Sequence, residues 1–433
     1  MSTESPSVAV IGAGYAGTAA AITLAQAGIP CRLYETGKEP GGRARRIHYR
    51  DTALDNGQHI LIGAYRELLG MMRTVGVPET HYERIPLAMK LHPDFELRAP
   101  KLPAPLHLAW ALFTARGLTF GDRIAAIRFA RHIKNATVDE RANVAALLRE
   151  YGQSEALVTN LWAPLCIAAL NTPLERASAK VFVTVLRDAL FHAREDSDFV
   201  LPKVDLTSLF PEPAIKWLSA NGATVERGSR VTRIDPIDAS FDLTSAHGAT
   251  HRHTAVICAV GPHQLEAIGS NNAVLQQALR PDRPARFEPI YTAYLQYPPA
   301  TTLPSVMLGR QSGMAQWFFD RGTLCGQAGL IAAVISASGP HEALDHAAVA
   351  QAAHRELEEL TGPLPEPLWH KVVAEQFATF ACEPGTPRPA CATTTPGLFL
   401  AGDYTEGPYP STLEGAVRSG QRAARLTTQY LRQ

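Results

Sequence analysis

Apolar positions in this chain fall in short blocks separated by glycine, proline and charge. Ser7 to Ile11 (SVAVI) is short and β-branched, the pattern of a strand buried on both faces of a parallel sheet. Gly12-Ala13-Gly14-Tyr15-Ala16-Gly17 follows it. The Ala- and Leu-rich stretch from Tyr15 to Ala27 predicts a helix that stops at Gly28, a residue type that ends helices. Pro30 to Tyr34 predicts a second strand, ending at Glu35. Far downstream, Thr224 to Ile234 (TVERGSRVTRI) predicts two short strands across Gly228, and Ala255 to Val260 (AVICAV) a buried strand that closes at Gly261-Pro262. Gly397 to Asp403 (GLFLAGD) predicts a strand ending in Gly-Asp. A last helix then runs to about Leu431, with Ser411 or Thr412 placed to cap it.

The longest apolar segment of note, Pro105 to Ala115 (PLHLAWALFTA), is far short of the ~20 residues that span a bilayer. A basic stretch with Arg116, Arg123, Arg128, Arg131, His132 and Lys134 continues from it, with Asp122 as its one acid. A solvated helix face and core helix are one reading of 105–134, and a segment lying in a membrane interface is the other. Proline clusters at 100–105, from Pro281 to Pro289, and at 363–367 read as connections. No internal repeat or low-complexity tract is visible.

Composition changes the picture little. With 433 residues, 46% hydrophobic and 19% charged, the chain can build two or three cores and is not disordered. Its 41 basic and 41 acidic side chains cancel, so no global field draws a nucleic acid, and none is expected as a partner. The six cysteines form no C-x-x-C pair and have no zinc-like spacing to histidine, so no metal is expected and reduced, buried thiols are. No secretory signal pattern is visible, and the reading is cytoplasmic.

The chemistry begins in the first unit. Gly12 permits a tight turn, Gly14 lets a phosphate approach the backbone, and Gly17 lets the helix pack against the strand. The amides of Tyr15 and Ala16 open the helix at its positive end. Glu35 stands 18 residues beyond Gly17, where an acid accepts hydrogen bonds from ribose hydroxyls and repels a 2′-phosphate. Strand, glycines, helix, glycine stop, strand and terminal acid in this order make a dinucleotide-binding unit.

Gly41-Gly42-Arg43 lies just past the second strand and resembles the GG-R element of the glutathione-reductase-type flavoproteins, where the arginine and backbone face the FAD pyrophosphate. Leu398 to Asp403 (LFLAGD), followed by Glu414-Gly415-Ala416-Val417-Arg418-Ser419-Gly420, resembles the C-terminal FAD signature of the amine oxidase and phytoene desaturase superfamily. That resemblance implies non-covalent FAD, met by Gly402, Asp403, Leu413, Glu414 and Ala416, with Val231 against the adenine. The fold it implies is α/β: a Rossmann-type FAD-binding domain of the glutathione-reductase-like group, assembled from separated segments, plus an interleaved α+β substrate domain. FAD-binding segments are expected at 1–89, 206–268 and 391–433, and substrate segments at 90–205, facing the membrane, and at 269–390.

Asp55-Asn56-Gly57-Gln58-His59 occupies the superfamily's D-x-G position, which places Gly57 against the cofactor. In this form it resembles the hydroxysqualene dehydroxylase branch. Leu161 to Cys166 with Ala169 to Pro173, Val185 to Asp188, and Leu201 to Leu206 with Leu209 to Ala214 extend the resemblance along the chain. It implies reductive dehydroxylation of hydroxysqualene to squalene in hopanoid synthesis: an allylic hydroxyl leaves as water and hydride from reduced flavin replaces it. His59 is the first candidate for proton donor, against a buried structural histidine. Gln58 is placed to orient a hydroxyl or the flavin, and Asp55 to react or to organise the turn. Asp188 and Asp205 read as caps or ion-pair partners or as cavity lining, and Trp162, Trp317, Phe318 and Phe319 as core or tunnel wall.

The partners expected are a long isoprenoid substrate, the inner membrane surface, touched by residues 105–134 at the mouth of the substrate tunnel, and an unidentified flavin reductant. A phytoene-type desaturase and a flavin amine oxidase are the alternative enzymes. A prenyl-lipid escort resembling the GDP-dissociation inhibitors is the non-enzymatic one.

Overall fold

The computed structural model describes residues 7–269, 276–278 and 286–433. The connection at 281–289 therefore lies mostly outside the described residues. Five strands from three distant regions form one parallel sheet, in the order Thr224–Arg227, Cys31–Glu35, Val8–Ile11, Ala255–Cys258, Leu398–Leu400. All four residues of Val8–Ile11 and of Ala255–Cys258 are buried, because helices cover one face of the sheet and the apolar residues Val231, Ile234, Phe241 and Leu243 cover the other. The helix Tyr15–Gln26 ends one residue before the expected Ala27, and Gly28 takes φ +73°. It packs along the last helix, Leu413–Tyr430. The two helices touch at Gly420, where a Cβ would lie 2.0 Å from the Ala16 carbonyl oxygen.

Thr224 to Ile234 does form two strands across Gly228, which has φ +69°, but they enter different sheets. Thr224–Arg227 joins the parallel sheet. Val231–Ile237 starts an antiparallel sheet with Ser240–Ser245 and Thr250–His253. A seven-stranded sheet makes up the other half of the molecule. Its order is Trp369–Phe380, Phe287–Gln296, Leu330–Ser336, Trp317–Asp320, Met307–Arg310, Ala88–His92, Phe95–Arg98. The pairing is antiparallel except between Met307–Arg310 and Ala88–His92. The helix His346–Thr361 packs one face of this sheet. The other face shares a core with the helices between 106 and 190. Trp162, Trp317, Phe318 and Phe319 are all buried in these cores. Among the described residues no helix is long and apolar enough to cross a membrane.

Candidate functional site

Two glycine loops meet above the carboxyl ends of the parallel strands, the place where open α/β sheets bind ligands. The Gly41 amide donates to the Ala13 carbonyl at 2.9 Å, and Gly41 bridges to Gly14. The glycines here are needed for different reasons. Gly12 has φ +104°, and a Cβ on it would sit 2.7 Å from the Ala259 carbonyl oxygen. A Cβ on Gly17 would lie 1.8 Å from the Gly12 oxygen. Both are required by the protein's own backbone. Gly14 is different: its φ is −74° and a Cβ would find its nearest neighbour, the Gly42 Cα, at an ordinary 3.7 Å. Nothing in the fold forbids a side chain there, so its smallness serves the surface it presents. That surface is the start of the helix Tyr15–Gln26, which has no side-chain cap and no acid in its first turn. Such an end suits a phosphate.

Glu35 closes one side of this loop. Its Oε2 accepts from the Ala13 amide at 2.8 Å and its Oε1 from the Gly37 amide at 2.7 Å. Each oxygen keeps a lone pair for a further donor. The Ser229 amide donates to the Glu35 carbonyl, which sets Val231, buried, two residues from the same edge. Tyr15 and Ala16 contribute backbone only. The Tyr15 ring is buried against Phe210 and its hydroxyl donates to the Leu206 carbonyl at 3.1 Å.

Arg43 and Asp403, drawn from opposite ends of the chain, form an ion pair. Arg43 also donates to the carbonyls of Phe377 and Ala378, at 3.2 and 2.7 Å. Asp403 further accepts from Ser411, while Thr412 caps the last helix by accepting from the Gly415 amide at 3.0 Å. Of the two capping candidates, Thr412 therefore caps and Ser411 holds Asp403. Beside Asp403, the Tyr404 hydroxyl is buried and has no hydrogen-bond partner among the described residues. An orphaned phenol, an uncapped helix end and a backbone-tolerated glycine together fit a dinucleotide carrying phosphates and hydroxyls.

Leu413 and Ala416 lie half-buried in the first turn of the last helix. Glu414 is buried, and its carboxylate turns away from the glycine loops. It accepts from the amides of Glu67 and Leu68, at 3.2 and 2.9 Å, and so caps the helix Arg66–Thr74. With its carboxylate engaged there and by Arg418, Glu414 has its backbone to offer a cofactor.

The segment Asp55 to His59 leaves the strand Thr52–Asp55 and runs between the two large sheets. Asp55 is buried. Its Oδ1 accepts from the Leu206 amide at 2.8 Å and its Oδ2 from the Arg321 guanidinium at 3.2 Å. The Tyr294 hydroxyl donates to the Asp55 carbonyl. The Asp55 carboxylate is enclosed by Leu206 and Arg321 and holds the turn to both neighbours. Arg321 is equally buried and also donates to Gln58 Oε1, at 2.7 Å, and to Gln327. It orients the Gln58 amide with its oxygen held inward. His59 Nδ1 lies 2.8 Å from the Gly57 carbonyl, so Nδ1 carries the proton and Nε2 is left as the free acceptor. Burial holds its imidazole below the ordinary value, with Arg43 adding to the effect, so the resting ring is neutral.

Asp205 caps the helix Leu206–Leu209 and pairs with Arg46, and Asp188 accepts from the Tyr409 hydroxyl at 2.5 Å. Both are therefore structural partners. Arg321, Gln327 and Tyr294 were not found by sequence reasoning. The one available signal was Asp320-Arg321, a charged pair directly after the buried strand residues Trp317 to Phe319.

Residues 15–427 match the family described as flavin containing amine oxidoreductase. Three proteins named hydroxysqualene dehydroxylase, among them that of Rhodopseudomonas palustris, are 26–29% identical over 97–98% of this chain and 97–99% of their own. A probable zeta-carotene desaturase of Synechococcus elongatus is 24% identical over 96% of this chain and 98% of its own. The crystal structure of a putative protoporphyrinogen oxidase from Exiguobacterium superposes with a TM-score of 0.68 at 15% identity, covering 99% of this chain and 100% of that one, which shows the shared fold. The chain belongs to the flavin-containing amine oxidoreductase family and is a flavin-dependent oxidoreductase.

Proposed function

We propose that this enzyme binds FAD and converts hydroxysqualene to squalene and water. The observation that carries this reading is end-to-end similarity to three hydroxysqualene dehydroxylases, greater than the similarity to the carotene desaturase. The glycine loops, Glu35 and Val231 hold the nucleotide end, and Arg43, Asp403 and Tyr404 face its phosphates and ribityl chain. The chain divides as its segments suggest, with cofactor residues at 1–89, 206–268 and 391–433 and substrate residues between them.

Bound reduced FAD supplies the hydride that replaces the hydroxyl. The protein's part is to bind a long apolar chain, keep bulk water out and deliver one proton to the leaving oxygen. His59 takes that proton onto Nε2 before the substrate seals the site, and the Gly57 carbonyl holds the ring in place through Nδ1. Gln58, anchored by Arg321 and with one amide N–H on the His59 carbonyl, presents the other N–H to the oxygen that departs. Atoms balance: the alcohol gains a proton and loses water, and the allylic cation left behind gains hydride. An external reductant restores the flavin. The enzyme works at the cytoplasmic face of the membrane that holds its substrate.

The test is anaerobic. Purified protein is reduced, hydroxysqualene is added in detergent, and the visible flavin band is followed while lipid is extracted. Reoxidation in step with squalene formation supports the reading. Flavin that stays reduced with hydroxysqualene, while the oxidised enzyme is bleached by a carotenoid precursor or an amine, overturns it in favour of those substrates.

A further inference from the structure

The helix Leu106–Thr114 is apolar on both of its faces. His107, Ala111 and Leu112 pack inward, while Leu106, Trp110 and Phe113, spaced i, i+4 and i+7, form a second stripe in solvent. Those three are 59%, 54% and 54% exposed. Leu102, just before this helix, and Phe120, which opens the adjacent helix Phe120–Ile133 and is 66% exposed, extend the stripe. Five of the eight large apolar side chains exposed among the described residues thus fall within 102–120. Exposed apolar residues scattered singly need no explanation, but a contiguous patch marks a binding surface.

Charge identifies the partner. Lys101, Arg116, Arg128, Arg131 and Lys134 are exposed around or beyond the stripe. The only acid between 101 and 138, Asp122, is folded inward, where it completes the capping box with Thr119 and accepts from Ser154 at 2.6 Å. Arg116 has Glu96 as its nearest acid, at 3.9 Å, and its side chain is 81% exposed. Apolar and aromatic side chains on a short helix with cations at its margin, where the Glu96 carboxylate is shared by Arg98 and Arg116, are the pattern of an element lying in a bilayer interface.

We propose that Leu102, Leu106, Trp110, Phe113 and Phe120 insert into the headgroup boundary of an anionic phospholipid bilayer, with the neighbouring Lys and Arg side chains at headgroup level. The inference rests on the reading above only for its purpose, which is to draw an insoluble substrate from the membrane. The surface itself is argued from exposure and charge.

The experiment uses the full-length flavoprotein and vesicles of phosphatidylcholine alone or with about a third phosphatidylglycerol. Wild type should co-sediment with the anionic vesicles at low salt and be at least tenfold weaker on the neutral ones. Vesicles of brominated lipid should quench its tryptophan emission, and Trp110→Phe should remove that quenching. The double variant Trp110→Glu, Phe113→Glu should keep wild-type melting, flavin content and squalene formation in detergent while losing vesicle binding. Wild type that ignores both vesicles, or a double variant that binds as wild type does, overturns the proposal. So does a wild-type dimer that the double variant dissociates, since the stripe would then be covered by a second copy. Failure to form squalene in detergent, with vesicle binding intact, would instead count against the dehydroxylase reading alone.

Discussion

Gly14 and Gly17 have the same side chain and carry opposite predictions. Alanine at 17 drives a Cβ into the Gly12 carbonyl, so Gly17→Ala should lose about 3 kcal/mol of stability with or without flavin. Alanine at 14 meets only an ordinary contact, so Gly14→Ala should melt like wild type as apoprotein yet bind FAD poorly. Calorimetry of the apoproteins with flavin titration separates the two, and full FAD affinity in Gly14→Ala would remove this loop from the cofactor site. His59 carries a second residue-scale prediction. Its pKa is lowered by burial, so the protonated ring that donates is populated only as pH falls below the usual histidine value near 6.5. Turnover under saturating reduced flavin should therefore rise toward acid, and His59→Gln should be slow and lack that limb while retaining FAD. A limb that survives the substitution assigns the proton to another group.

At the scale of elements, the site depends on a charge pair that joins two sheets. Asp55 ends a strand next to the glycine loops, and Arg321 follows the strand Trp317–Asp320 of the seven-stranded sheet, with side chains 4% and 2% exposed. Removing one partner leaves a charge buried without its counter-ion, so Arg321→Met should cost about 3–5 kcal/mol. Adding Asp55→Asn should recover part of that loss, and denaturant melts of the two singles and the double form the cycle that measures it. Sequence could show one side of this pair and not the other. Asp55 stands in a dense motif, whereas Arg321 is a lone arginine 266 residues downstream whose meaning depends on a long-range pairing. The parallel strands were legible for the opposite reason: β-branched runs, glycine stops and a terminal acid are local signals. The seven-stranded sheet, which inserts Ala88–His92 beside Met307–Arg310, leaves no such local signal. Glu414 shows the remaining gap. Its place in a cofactor-like motif was visible, but not the Arg66–Thr74 helix whose amides its carboxylate caps.

For the whole molecule, the junction between the parallel sheet and the small antiparallel sheet sets how the fold responds to acid. His253, 3% exposed, joins them: its Nε2 lies 2.9 Å from the Tyr34 hydroxyl and its Nδ1 3.1 Å from Ser7 Oγ. Burial, with Arg32 and His251 adding to it, brings its pKa down to about 4. The unfolded chain therefore binds a proton near pH 6.5 that the folded one refuses until about 4. Stability from this residue is complete above 6.5 and is lost as pH falls through that window, in total about 3 kcal/mol. His107 and His341, buried and likewise held neutral by burial, act with the same sign. Urea melts of the apoprotein at pH 7, 6 and 5 should show the decline, and His253→Gln should flatten it. Tyr34 is next to Glu35, so protonating His253 strains the strand end that closes the dinucleotide loop. Flavin release, read as recovered fluorescence, should then begin at a higher pH than global unfolding in wild type, and the two should move together in His253→Gln. If that variant releases flavin at the same pH as wild type, the acid response lies in groups away from this junction.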